Sequence, residues 1–211
     1  MSSIKENLRN YYNQEAEHRN ASYKQDWKLK ERKAFLDLAK HENKQILLEL
    51  GAGTGDDSLF FMENGLKVTA VDLSAEMVKR CKEKGINAYE LDYYQVTALN
   101  KQFQCVWAMN SLLHVPKTEL PRVLTNIDSV LEKNGLFYMG VYGGVDSESE
   151  YVTKISEHPR FFSFYTQGTL QNVLKKHFEI ISFRQLDVGR RDKESQRGFD
   201  FQSILMQKRQ M

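Results

Sequence analysis

Ile46-Leu47-Leu48-Glu49-Leu50 runs straight into Gly51-Ala52-Gly53-Thr54-Gly55-Asp56-Asp57, and no other stretch of the 211 residues narrows the fold as far. A short apolar run, three alternate glycines and an acid-led segment describe a strand, a tight turn and the start of a helix. Glycine has no Cβ, so such a turn lets a ligand lie against bare backbone. The dinucleotide fingerprint wants its third glycine one place later, where this chain has Asp56. A helix N-terminus carries partial positive charge and attracts a pyrophosphate, whereas Asp56 and Asp57 in the first turn repel one. Glu49 adds a third carboxylate beside the glycines. The expected ligand therefore carries an ammonium or sulfonium group rather than a diphosphate.

From Gln45 onward, strand-sized apolar runs alternate with helical periodicity. Strands are expected near 45–50, 67–72, 86–91, 103–109 and 135–142, and helices near 56–64, 75–84, 117–132 and 166–177. Ser74 can cap the second of these helices, and Asn134-Gly135 closes the third. The pattern is that of an α/β fold, a Rossmann-like, doubly wound, mostly parallel sheet. Two further strands, near 178–188 and 199–207, flank the polar turn Gly189 to Glu194 and read as a C-terminal antiparallel hairpin. Before Gln45, Ile4, Leu8, Tyr11 and Tyr12, then Trp27, Phe35, Leu38 and Ala39, recur at helical spacing and predict an N-terminal helical cap. One domain over 1–211 follows, divided into the cap (1–44), a ligand-binding core (45–142), a lid or substrate loop (143–165) and a C-terminal helix and hairpin (166–211).

Glu49-Leu50-Gly51-Ala52-Gly53-Thr54-Gly55 resembles the first motif of the class I S-adenosylmethionine-dependent methyltransferases, whose cofactor carries both an ammonium and a sulfonium group. Later segments fall into that family's order: Val68 to Ser74, a strand ending in an acid about 20 residues on; Ala88 to Tyr93, on the adenine side; and Val106 to His114, a strand leading into the loop that faces the methyl group. The resemblance implies a seven-stranded sheet with the last strand inserted antiparallel. It implies S-adenosylmethionine as cofactor and S-adenosylhomocysteine as product. Around the cofactor it places Glu49, Gly51, Ala52, Gly53 and Gly55, then Asp72 on the ribose with Leu73 and Met77, Asp92 with Tyr93 beside the adenine, and Asn110 beside the methionine portion.

The remaining composition narrows the function. Net charge is +2, with basic residues interspersed among acids, which leaves no broad footprint for a polyanion. The exception is Lys24 to Lys33, read as a solvated helix face. Histidines 18, 41, 114, 158 and 177 lack metal-ligand spacing, and two cysteines make no disulfide framework. No apolar run reaches membrane-spanning length and Met1 to Asn7 lacks a signal-peptide core, so a cytoplasmic monomer or homodimer without membrane or nucleic-acid partners is expected.

Methyl transfer needs a nucleophile held in line more than it needs a strong catalytic group. His114, just past the fourth strand, is the candidate general base, on the expectation that it titrates near neutrality. Tyr11, Tyr12, Arg19 and Trp27 from the cap, with His114, Tyr142, Arg160 and Phe161, are the candidate acceptor contacts. The fourth strand ends Asn110-Ser111-Leu112-Leu113, without the Asn-Pro-Pro-Tyr type motif that grips a planar amide or base nitrogen. Transfer to an oxygen, nitrogen or sulfur atom of a small molecule is the resulting expectation. The alternatives are an RNA or protein methyltransferase using the Lys24 to Lys33 face, or a nonenzymatic cofactor-binding subunit.

Overall fold

The structure, a computed structural model, describes residues 2–153, 156–191 and 198–210. Two helices, α1 (Ser2–Asn20) and α2 (Asp26–His41), precede a seven-stranded sheet. Its parallel part comprises β1 (Ile46–Leu50), β2 (Lys67–Asp72), β3 (Asn87–Glu90), β4 (Phe103–Met109) and β5 (Leu131–Gly143). The helices between them are α3 (Asp56–Glu63), α4 (Ala75–Glu83) and α5 (Leu120–Val130). A hairpin of β6 (Ser147–Thr153) and β7 (Ser156–Phe164), then α6 (Gln167–Leu174), lead to β8 (Phe178–Arg191) and β9 (Gly198–Lys208). Strand order is β3-β2-β1-β4-β5-β9-β8, with β9 antiparallel to both neighbours. The chain thus winds outward from β1 through β2 to β3, then returns to lay β4 on β1's other side. That reversal opens a crevice beyond the C-terminal ends of β1 and β4.

Period-two alternation along the strands sends neighbouring residues into different layers. Leu48, Val106, Phe137 and Met139 pack with Leu120, Val123, Leu124 and Ile127 of α5. Leu47, Trp107, Leu136 and Tyr138 face the other way, onto Phe35, Leu36 and Ala39 of α2 and Phe61 of α3. Helix α2, whose first-turn Lys28 also lines the crevice, is therefore a layer of the main fold. It is pinned by Glu31, 5% exposed, which accepts hydrogen bonds from Ser203 Oγ (2.5 Å), Arg184 Nη2 (2.6 Å) and Tyr138 Oη (3.3 Å).

Three element boundaries differ from the sequence reading. Segment 143–165 is not a loop. Within it β6 pairs antiparallel with β7 as a separate two-stranded sheet, residues 154–155 lying outside the described set. Phe162 and Phe164 alternate inward there, their rings stacked 5.7 Å apart. The third core helix ends at Val130, and Leu131 already pairs with Phe103, with an irregularity in register before Leu136. Asn134, at φ 59°, bends this strand rather than closing a helix. Of the polar turn expected over 189–194, residues 189–191 continue β8, and residues 192–194 lie outside the described set.

Candidate active site

The turn after β1 is built by backbone bonds to the neighbouring strand. The N–H groups of Gly51 and Ala52 donate to Val71 O (2.8 and 3.1 Å), and Gly53 N–H donates to Asp72 Oδ2 (2.8 Å). The other Asp72 oxygen accepts from Ser74 N (2.9 Å), while Ser74 Oγ caps α4 by accepting from Met77 N (3.2 Å). All three glycines have positive φ, between 56° and 86°, but they serve different ends. A Cβ on Gly51 would sit 2.5 Å from Ser111 Cβ, and one on Gly55 would sit 2.6 Å from Ile86 Cδ1 and 2.9 Å from Cys81 Sγ. Around the Cβ position of Gly53 there is nothing within 4 Å. Gly53 faces open space at the crevice; Gly55 lets α4 approach.

Above this turn lies a cavity of about 240 Å³. Glu49, Gly51, Ala52 and Gly53 line one part of its wall, and Asp72, Leu73 and Met77 another. Asp92, Tyr93 and Asn110 complete the set expected around a cofactor, and of that set Gly55 alone is absent from the wall. Asp92 is tied to α1 by Lys5 Nζ at 2.6 Å and accepts from Tyr94 N at 2.8 Å. Burial raises Asp72 to about 6 against the bonds from Ser74 and Gly53. It raises Glu49 to about 8, with the Asp57 charge next in effect and a Ser58 hydroxyl bond opposing. The acids of α3 are compensated. Asp56 pairs with Lys84 (2.7 Å), and Asp57 with Lys24 (2.5 Å) and Arg32 (3.0 Å).

At the other end, Tyr12, Arg19 and His114 line the cavity. His114 is 6% exposed, and both its nitrogens are engaged. Nδ1 lies 2.7 Å from Phe161 O, and Nε2 lies 2.6 Å from Tyr12 Oη. A carbonyl oxygen can only accept, so Nδ1 carries the proton, Nε2 offers its lone pair and the Tyr12 hydroxyl donates to it. Burial pushes His114 down to about 3, the Phe161 carbonyl opposing and Arg160 and Arg19 adding to the shift. The expectation that it titrates near neutrality is thereby corrected, because a buried ring facing two guanidinium groups resists a further positive charge.

Five expected acceptor contacts, Tyr11, Trp27, Tyr142, Arg160 and Phe161, do not line the cavity. Trp27 and Tyr142 pack on Phe201, with ring centroids 4.4 and 5.5 Å away. The other three support the wall from behind. Arg160 lies over the Tyr11 ring (4.5 Å), Tyr11 meets Tyr12 edge-on (5.3 Å), and Phe161 supplies the carbonyl that fixes the histidine.

Residues 47–135 match a family model described as a methyltransferase domain. No curated protein matches the sequence. Among solved structures, the chain is similar to the 1,6-didemethyltoxoflavin-N1-methyltransferase of Burkholderia thailandensis, solved with 1,6-didemethyltoxoflavin and S-adenosylhomocysteine. The TM-score is 0.72 at 19% identity, over 97% of this chain and 88% of that one. DhpI, solved with S-adenosylhomocysteine, gives 0.70 at 20% identity over 97% of both chains. The magnesium protoporphyrin IX methyltransferase of Synechocystis, solved with S-adenosylmethionine, gives 0.68 at 13% identity over 98% and 97%. Residues 47–135 therefore match a methyltransferase domain, and the chain as a whole shares the fold of these S-adenosylmethionine-dependent enzymes.

The cavity has a chemistry that fits S-adenosylmethionine. Asn110 Oδ1 and Ser111 Oγ are buried without a hydrogen-bond partner in the protein, which leaves polar groups free for a ligand. Carboxylates sit at separate points of the wall, Asp72 beside the glycine turn, Glu49 below it and Asp92 toward α1. Ser111 and Lys5 are wall residues that the sequence reading passed over, and Lys24, read there as part of a solvated face, lines the wall as well. Ser111 could have been found by its place next to Asn110. The pairing of Lys24 with Asp57 carries no local signal. Among the described residues no group of three or more His, Cys, Asp or Glu is placed to hold a metal ion, and no helix is long and apolar enough to cross a membrane. Both cysteines are buried and free.

Proposed function

We propose that this methyltransferase acts on a small molecule whose nucleophilic atom still bears a proton, an O–H or N–H group, and that His114 receives this proton through Tyr12. The cavity's size and its closure by α1 favour a compact acceptor. The small-molecule acceptors named for the Burkholderia and Synechocystis enzymes point the same way. Two cations of the basic stretch considered for RNA, Lys24 and Arg32, are turned inward onto the buried Asp57.

The observation that carries the proposal is the Tyr12–His114–Phe161 chain of hydrogen bonds. Because the Tyr12 proton points to Nε2, its Oη can only accept further bonds, from Arg160 on one side and from a donor on the acceptor molecule on the cavity side. When bound, S-adenosylmethionine supplies a sulfonium methyl, an electrophile that needs no further activation. The protein then positions the nucleophile and removes its proton. That proton passes to Tyr12 Oη, and the tyrosine's own proton passes to His114 Nε2. The resulting imidazolium keeps its Nδ1 proton on the Phe161 carbonyl. A base as weak as buried His114 is suited to take a proton late, since a nucleophile becomes more acidic as it gains the methyl group.

Production of S-adenosylhomocysteine across a panel of phenols, alcohols and N–H heterocycles, beside RNA and protein substrates, tests the acceptor class. Methylation confined to RNA or protein would overturn the small-molecule reading. Tyr12→Phe and His114→Ala are each expected to lower kcat by about 10²- to 10⁴-fold with little change in S-adenosylhomocysteine affinity. At saturating cofactor, wild-type kcat should show no limb from His114 between about pH 6 and pH 8. A limb near the ordinary histidine value that vanishes in His114→Ala would contradict the buried, neutral assignment.

A further inference from the structure

Residues 21–25 join α1 to α2, and Ser22, Tyr23 and Lys24 of this linker line the cavity. The Lys24 ammonium stands 2.5 Å from Asp57 Oδ1, the two side chains being 21% and 4% exposed. Asp57 does not depend on it. Arg32 Nη1 donates to the same oxygen at 3.0 Å, and Trp107 Nε1 donates to Oδ2 at 3.1 Å. Glu49, the neighbouring carboxylate, also lines the cavity and receives the Ser58 hydroxyl. A second feature of the same wall points to a ligand here: Ser111, 3% exposed, has its Oγ without a partner. The protein thus places a primary ammonium of its own among the acids that would receive the cofactor's ammonium.

We infer that Lys24 is an internal competitor for the cofactor's amino group, compensating the acidic end of the cavity until the ligand's ammonium displaces it. This rests on the cofactor reading above. Three features support displacement over permanent attachment. The lysine is carried on a short linker and not within a helix. Its stem is long and flexible, and its head is a compact, strongly hydrated charge that returns to water readily. Asp57 keeps two donors when Lys24 leaves, so removal does not strand a buried carboxylate. A competitor of this kind lowers apparent affinity by the fraction of molecules in which it still occupies the site. The effect is selective, because a ligand without an ammonium has no reason to expel the lysine.

Calorimetric titration of wild type and Lys24→Met tests this with three probes. They are S-adenosylhomocysteine, its deaminated analogue that keeps the carboxylate, and 5′-methylthioadenosine, which lacks the amino-acid portion. Methionine preserves the length and apolar stem of lysine without its charge. The variant should bind S-adenosylhomocysteine about fivefold tighter or more, while the other two ligands change by less than about twofold. Weaker binding of S-adenosylhomocysteine and of the deaminated analogue together would mean that Lys24 holds the ligand's carboxylate, which overturns the inference. Equal changes for all three ligands, or no change for any, would overturn it as well. If wild type and variant melt cooperatively and neither binds S-adenosylhomocysteine, the cofactor reading itself fails. Binding that is retained and indifferent to Lys24 defeats only the competitor.

Discussion

Gly53 and Gly55 are two residues apart and both adopt positive φ (56° and 86°), yet replacing each with alanine should injure different properties. The left-handed conformation costs an L-residue about 1–2 kcal/mol. For Gly53→Ala that is nearly the whole structural penalty, because nothing lies within 4 Å of the new methyl group. Gly55→Ala adds overlap with Ile86 Cδ1 at 2.6 Å and Cys81 Sγ at 2.9 Å. Cys81 Cα, a backbone atom that cannot rotate away, follows at 3.4 Å. Overpacking of this kind costs about 1–3 kcal/mol, so Gly55→Ala should lose about 3 kcal/mol and Gly53→Ala about 1 kcal/mol. In a domain of this length each kcal/mol moves Tm by about 2–4 °C, which gives drops of about 6–12 °C and about 2–4 °C. Binding should follow the opposite order. The Gly53 methyl group enters the cavity where the cofactor's backbone contacts are expected, and S-adenosylhomocysteine affinity should fall at least about tenfold, or 1.4 kcal/mol. Thermal melts and calorimetry on both variants decide the matter. Equal destabilisation, or full affinity in Gly53→Ala, would refute the division of labour assigned to the glycine turn.

Asp72→Ala should weaken S-adenosylhomocysteine binding by about 1.5–3 kcal/mol, the scale of hydrogen bonds to a charged group, and unchanged calorimetric affinity in a folded variant would remove Asp72 from the ribose. Since burial holds Asp72 near 6, above the ordinary 3.8, its charged form is lost as pH falls through about 6, and wild-type affinity should decline over that interval while that of the Asp72→Asn variant does not. Glu31→Ala leaves the buried Tyr138 and Ser203 hydroxyls without their acceptor, while the half-exposed Arg184 regains water. A loss of about 2 kcal/mol in denaturant unfolding is expected, and an unchanged midpoint would show that α2 is held by its apolar face alone.

What the sequence made legible was the part of the structure governed by local rules. Short apolar runs located β1, β2 and β4, and Ser74 caps α4 as its place ahead of a helical segment implied. The same rules misread the hairpin. Glu148 and Glu150 alternate with Ser147 and Ser149 in β6, which offers no apolar face, so its period-two character shows only when Phe162 and Phe164 of β7 are set beside it. Helical spacing placed Trp27 correctly on the inner side of α2, but spacing cannot say which surface a face meets. The tryptophan met Phe201 of the last strand and not a ligand. The acid pair Asp56-Asp57 was likewise visible, while the cations that neutralise it come from residues 24, 32 and 84, positions that only folding brings near.

The two segments expected to share control of the acceptor meet the cavity by different physical routes. Helix α1 reaches the cavity directly, through Tyr12 and Arg19. The β6–β7 hairpin contributes no wall residue, yet its Phe161 carbonyl dictates which nitrogen of His114 is protonated, and that in turn dictates the direction of the Tyr12 hydroxyl. Arg160, one residue earlier in the same strand, contacts the Tyr11 ring and adds positive charge near both Tyr12 and His114. A change of backbone position at 161 would release the Nδ1 proton from its acceptor and let the imidazole adopt the other tautomer. Tyr12 would then have to accept instead of donate, and its hydroxyl hydrogen would turn toward the cavity. The site would pass from presenting a hydrogen-bond acceptor to presenting a donor without any substitution among the residues that touch the substrate. Acceptor preference in this fold can therefore shift through the hairpin as well as through the wall, by way of one carbonyl group and one proton.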